Sequence, residues 1–156
     1  MTATKVLKIF YMEAKESKFN IAETIRNIKT AREELAKAVK AEKEACAPML
    51  TDKSRLPRIY EIFREIRGSQ CETTESRDMF VFIAMYLYTP RSFFWHSMWP
   101  GTRKEIARVI GIKSRSVISR SAKKVLHHYR VYHSFREEIN RIFESMIERM
   151  RVEEII

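Results

Sequence analysis

The sequence predicts an all-α fold: a helical bundle that contains a helix-turn-helix unit and carries an N-terminal helical arm. Only 3 Gly and 4 Pro interrupt 156 residues, so few turns are available and the elements must be long. Apolar side chains recur at three-and-four spacing along most of the chain, the period of one face of an α-helix. Hydrophobic residues make up 45% of the sequence, enough for a real core. The length suits one compact domain with an attached arm, divided here into an arm or dimerisation region over 1–50 and a helix-turn-helix domain over 57–156.

Residues 3–17 place Val6, Leu7, Phe10, Tyr11 and Ala14 on one side of a short amphipathic helix. Asn20 and Glu23 form a capping-box signature for the next helix, which is expected to run to about Ala47, ahead of Pro48. Its apolar positions Ile21, Ile25, Ile28, Leu35 and Val39 repeat about every 3.5 residues, and Arg32 interrupts the seam. So short a seam suits packing in cis on the C-terminal domain and also a homodimer through the N-terminal helices; both readings stay open. After a polar linker over 48–56, Pro57 fits a first helical turn, where its missing N–H costs nothing. Ile59, Tyr60, Ile62, Phe63 and Ile66 give that helix a broad buried stripe, and Gly68 ends it. Beyond a loop at 69–74, the helix over 75–88 is so apolar from Met79 to Leu87 that it belongs at the centre of the core.

The segment 91–101 is aromatic-rich, with Phe93, Phe94, Trp95 and Trp99, and Pro100-Gly101 marks a turn. It is either a loop or short helix that plugs the core or an exposed patch that grips a partner. Thr102 and Glu105 repeat the capping-box spacing, and Ile106, Val109 and Ile110 supply the apolar side of a short helix stopped by Gly111. Ser114 is the N-cap of the next helix, with Ile118, Ala122, Val125, Leu126 and Tyr129 pointing inward. A last helix over 134–152 covers the back of this unit through Phe135, Ile139, Ile142, Phe143, Met146, Ile147 and Met150.

The net charge of +10 has an address. Residues 91–136 hold 11 Lys and Arg against one acid, Glu105, and the rest of the chain is balanced. A surplus confined to one stretch is what a polyanion-binding face needs, because each neutralised phosphate releases condensed counterions. A helix, a Gly turn and a second helix over 102–129 form the arrangement that inserts its second member into a major groove. Ala107 lets the two helices cross closely, and Gly111 supplies a positive φ. On the outer face of the second helix Ser114, Arg115, Ser116, Ser119, Arg120 and Lys123 alternate short hydroxyls with long cations. Arg pairs with guanine or contacts phosphate, and Ser lets the backbone approach base edges. Lys113 and the helix start add N–H donors for a phosphate, Lys124 joins Lys123 as a backbone contact, and Thr102, Arg103 and Lys104 complete the set on the first helix. The bland alternative is a solvated basic face without a ligand.

Arg77-Asp78-Met79, Ile83-Ala84-Met85-Tyr86-Leu87, Ile110-Gly111, Lys113-Ser114-Arg115-Ser116-Val117-Ile118 and Lys123-Lys124-Val125 together resemble the DNA-binding domain of the bacterial replication initiator DnaA. The similarity covers about 77–125, under a third of the chain. It implies a Trp-repressor-like helix-turn-helix with Lys113 at the basic position before the recognition helix, Ser116 in place of a Thr, and Arg77 as a minor-groove residue. Ser114 and Arg115 stand where that family has an Asp-His pair, which implies a different sequence preference. Nothing in the chain is similar to a nucleotide-binding loop, so the resemblance implies a regulatory or replication-associated DNA-binding protein, of a phage or mobile element, rather than an initiator.

Catalysis lacks its raw material. Asp52 and Asp78 are the only Asp residues, and one acid in the basic region cannot form the carboxylate cluster of a metal-dependent nuclease. His127, His128 and His133 lack the i, i+4 spacing of a helical metal pair. No cofactor, metal or small-molecule substrate is expected. Cys46 and Cys71 lack paired spacing and are expected as reduced thiols in a cytoplasmic chain. No stretch approaches the ~20 apolar residues of a membrane span, and the first ten residues lack a signal core. Two other classes compete with duplex DNA binding: a helical protein–protein interaction module with a solvated basic face, and membrane-surface attachment. The second is disfavoured because the aromatics and the cations lie on different segments.

Overall fold

The first described helix is capped by Asn20, whose Oδ1 accepts the Glu23 N–H at 3.1 Å. The computed structural model describes residues 20–95 and 101–156. The expected helix over 3–17 and the loop aromatic Trp99 lie outside the described residues. All regular structure among the described residues is helical: α1 Ile21–Ala45, α2 Leu56–Arg67, α3 Thr74–Tyr88, α4 Ser92–Trp95, α5 Thr102–Val109, α6 Arg115–Val131 and α7 His133–Val152. The chain divides into two compact units, residues 1–45 and 46–156. In the first, Ile21, Ile25, Ile28, Leu35 and Val39 of α1 are each at least half exposed.

The linker expected over 48–56 is part of the second unit. Leu50 is buried, and its N–H donates to the Leu87 carbonyl at 3.0 Å. The Tyr88 hydroxyl donates to the Asp52 carbonyl at 3.0 Å, and burial pushes that phenol up to about 12. Asp52 in turn caps the short 3-10 turn Lys53–Arg55 by accepting the Ser54 N–H at 2.9 Å. A segment that looked polar in composition is thus stitched down by one apolar anchor and its backbone.

α3 starts where Thr73 Oγ1 accepts the Ser76 N–H at 3.1 Å. From Met79 to Met85 every side chain is buried, as are Leu87 and Tyr88. A helical stretch without a wet face has to be enclosed, and aromatic contacts show by what. Tyr60 and Phe63 of α2 meet Phe80 at ring distances of 4.6 and 5.3 Å, and Tyr129 of α6 stacks on Phe82 at 4.7 Å. Each fully buried side chain of this kind contributes about 1.5–3 kcal/mol through burial. The aromatic segment after α3 divides between its two readings. Phe93 is half-buried against Phe82 at 4.9 Å, whereas Phe94 is 66% exposed.

α7 lies along α2, and four arginines join them. The Arg67 guanidinium, almost fully buried, pairs with Glu138 and donates to Ser76 Oγ at 2.9 Å. Arg58 grips Glu153 with two hydrogen bonds of 2.6 and 2.7 Å, and Arg149 reaches the same carboxylate at 3.0 Å and Glu65 at 3.2 Å. Arg55 donates to the carbonyls of Glu154 and Ile155 just past the end of α7, at 3.1 and 2.7 Å.

Gly111 shapes the turn between α5 and α6. It adopts φ +72°, its N–H donates to the Arg108 carbonyl at 3.3 Å, and the Ile112 N–H donates to the Ala107 carbonyl at 2.8 Å. This pair of bonds is a Schellman motif. Ile112 packs on the core beside it, which fixes the direction in which the chain leaves α5.

Two outcomes are expected. Gly111→Ala places a Cβ in open space but in a left-handed conformation, and it should cost about 1 kcal/mol in urea unfolding. Arg58 first, then Arg149, hold Glu153 down to about 2 from 4.5. A carboxylate depressed in the folded state adds stability above its unfolded value, and that contribution disappears as pH falls from about 4.5 through about 2. Urea melts across that window should therefore show a smaller acid-induced loss in Glu153→Gln than in the wild type.

Candidate nucleic-acid interface

The inner face of α6 is made by Ile118 and Val125, both fully buried, with Ala122 and Ser121 nearly so and Leu126 and Tyr129 half-buried. The Tyr129 hydroxyl donates to Asn140 Oδ1 at 2.9 Å and so ties α6 to α7. With that side fixed inward, Arg115, Ser116, Arg120, Lys123 and Lys124 face solvent, and Lys113 and Ser114 continue the exposed surface into the turn. Ser119 is half-buried at its edge. Lys104 of α5 is also exposed. Among the described residues, no carboxylate lies within ion-pair distance of Lys113, Arg115, Arg120 or Lys123; the nearby pairs are Glu105 with Arg108 and Asp78 with Lys124.

Ser114 has the extended backbone of an N-cap, φ −99° and ψ 118°, yet its hydroxyl does not cap the helix. It lies 2.7 Å from Ser116 Oγ instead. No side chain therefore closes the first turn of α6, whose N–H groups stand beside Lys113 and Arg115. An exposed helix N-terminus among unpaired cations has the chemistry of an anion site.

Three of the sequence-derived candidates are wholly or partly enclosed. The expected Thr102–Glu105 capping box is absent, because Gly101, at φ +84°, takes the N-cap position and Thr102 becomes the first helical residue. Thr102 is 1% exposed, so its hydroxyl faces the interior, and Glu105 pairs with Arg108 at 2.9 Å. Arg77 and Arg103 are half-buried. Their Nε atoms and the Thr102 Oγ1 are buried without a hydrogen-bond partner among the described residues.

A contact not expected from the sequence involves Asp78 of α3. Its side chain is 6% exposed; Ser121 Oγ donates to Oδ1 at 2.6 Å and Lys124 Nζ donates to Oδ2 at 3.0 Å. The available signal was an acid at the head of an otherwise apolar helix, together with a Ser on the inward side of α6.

The histidines go separate ways. His128 sets its ring edge-on to Tyr132 and Phe135, His133 Nε2 lies 3.2 Å from Glu137, and His127 is exposed. Among the described residues no group of three or more His, Cys, Asp and Glu could hold a metal ion, and Cys46 and Cys71 are free thiols. No helix among the described residues is long and apolar enough to cross a membrane. Comparisons of the chain with protein-family models, curated proteins and solved structures find no match in any of the three.

Proposed function

We propose that the chain is a non-enzymatic duplex DNA-binding protein in which α5, the Gly111 turn and α6 act as a helix-turn-helix unit, with α6 in the major groove and a regulatory or replication-associated role. The observation that carries this reading is the outer face of α6. Lys113, Arg115, Arg120 and Lys123 are exposed and without a carboxylate partner among the described residues, while Ile118, Ala122 and Val125 hold the opposite side of the same helix in the core. A surface of unpaired cations on a rigid element is the electrostatic footprint of a nucleic-acid reader. Arg115 and Arg120 have the reach and planar donors for base edges, and Lys113 and Lys123 are point charges for phosphates. The resemblance of 77–125 to the DNA-binding domain of DnaA supports the same reading.

A second reading has one observation in its favour. Five apolar side chains of α1 lie exposed at coiled-coil spacing, a surface suited to another helix and needing no nucleic acid. Applied to a second copy of the chain, it gives a homodimer.

Duplex affinity should fall on the order of 100-fold between about 50 and 200 mM salt, as release of counterions from about four phosphates requires. An affinity that ignores salt, or no duplex binding at all, rejects the DNA-binding reading and favours the protein-interaction one. Arg115→Ala and Arg120→Ala should each reduce discrimination between a selected and a random duplex by about 1–3 kcal/mol. Lys123→Ala should instead weaken both duplexes alike. Light scattering at micromolar concentration should give twice the monomer mass if α1 pairs with itself, and a monomer mass dismisses that homodimer.

A further inference from the structure

We infer that Asp78 is the positioning residue of the DNA-reading helix and that Lys124 serves Asp78 rather than the phosphate backbone, an assignment that rests on the DNA-binding reading of α6. A carboxylate this deeply enclosed has to be paired and hydrogen-bonded to stay charged. Both of its donors come from α6, and they sit one helical turn apart, at 121 and 124. Single contacts leave a helix free to roll or slide. Two contacts from successive turns to the two oxygens of one anchored carboxylate fix rotation and axial position together, the register role for which buried polar groups are best attested.

Ile118 and Val125 hold the inward side of α6 in the core, but apolar contact is non-directional, whereas hydrogen bonds to a carboxylate have a set distance and angle and so specify the roll of the helix more narrowly. A reading surface has to be held within roughly 10–20° of its productive orientation. Arg120 precedes Ser121, and Lys123 lies between Ser121 and Lys124, so the tie acts in the same turns that present the cations. Two adjacent lysines thereby acquire different work. Lys123 projects without a carboxylate partner among the described residues, whereas Lys124, 52% exposed, has its ammonium on Asp78.

The experiment measures duplex binding by the full chain between about 50 and 200 mM salt. It uses a random-sequence duplex and a duplex selected by the wild type from a random pool. Lys123→Met should reduce the slope of log affinity against log salt by about 0.9 on both duplexes and leave their discrimination intact. Lys124→Met should keep the wild-type slope and lose on the order of 10-fold in discrimination. Lys124→Arg, which can still reach the carboxylate, should recover most of that loss. Asp78→Asn should lose discrimination as Lys124→Met does, with a slope that steepens as the released ammonium becomes available to phosphate. If Lys124→Met instead flattens the slope as Lys123→Met does and discrimination survives, the assignment is overturned. Should Asp78→Asn fail to fold, as circular dichroism would show, the comparison of Lys123→Met with Lys124→Met decides alone. Failure of the underlying reading is separately visible, because the wild type itself would then show no salt-dependent binding to either duplex.

Discussion

The middle of α3 has no side open to water, and the arrangement of the second unit follows from that constraint. Its buried run from Met79 to Met85 spans nearly two full turns, so partners must approach from every direction. α2 supplies Tyr60 and Phe63, α6 supplies Tyr129, the short α4 supplies Phe93, and the residues before α2 supply Leu50. Hydrophobic enclosure dominates the energetics. The pairs among Arg58, Arg149, Glu65 and Glu153 lie near the surface, where solvent screens them, so they rank below the enclosed apolar side chains. The Arg67–Glu138 pair, with the guanidinium enclosed, ties α2 to α7, and taking its charges out of water offsets much of what their attraction contributes.

Most of this was legible in the sequence because helical periodicity and caps are local signals. Asn20 caps α1, Gly68 ends α2, Gly111 turns the chain after α5, and the apolar density of 79–87 marked the central helix. The error arose where two local signals competed. Thr102 and Glu105 had the spacing of a capping box, but the preceding Gly101 reaches a positive φ without strain and occupies the cap itself. The linker over 48–56 reads as polar from its composition, and the fold adds what composition does not carry, a buried Leu50 whose N–H donates to the Leu87 carbonyl.

The candidate interface was legible for a related reason: the inward and outward sides of α6 separate by period alone, and the clustered cations could be counted. Its supporting contact was not legible. Asp78 and Lys124 lie far apart in sequence, and nothing in the composition of either segment links them. Local pattern therefore identified which side chains reach outward, and only the fold revealed which of those cations is already engaged. It likewise moved Thr102 into the interior and left Arg77 and Arg103 half-enclosed.

The acidic side chains bound to arginine on α2 and α7 have a consequence for motion in solution. Glu61, Glu65, Glu138 and Glu153 sit on or next to those two helices, while the unneutralised cations sit on α6 and the turn before it. With those acids neutralised by arginine and the unpaired cations on α6, the net positive charge of the second unit lies off-centre, and an off-centre charge near a charged rod experiences a torque as well as an attraction. Under the proposed DNA-binding reading, the molecule would arrive at the duplex already turned, and added electrolyte would slow capture by erasing the torque beyond a screening length of about 10 Å at 0.1 M.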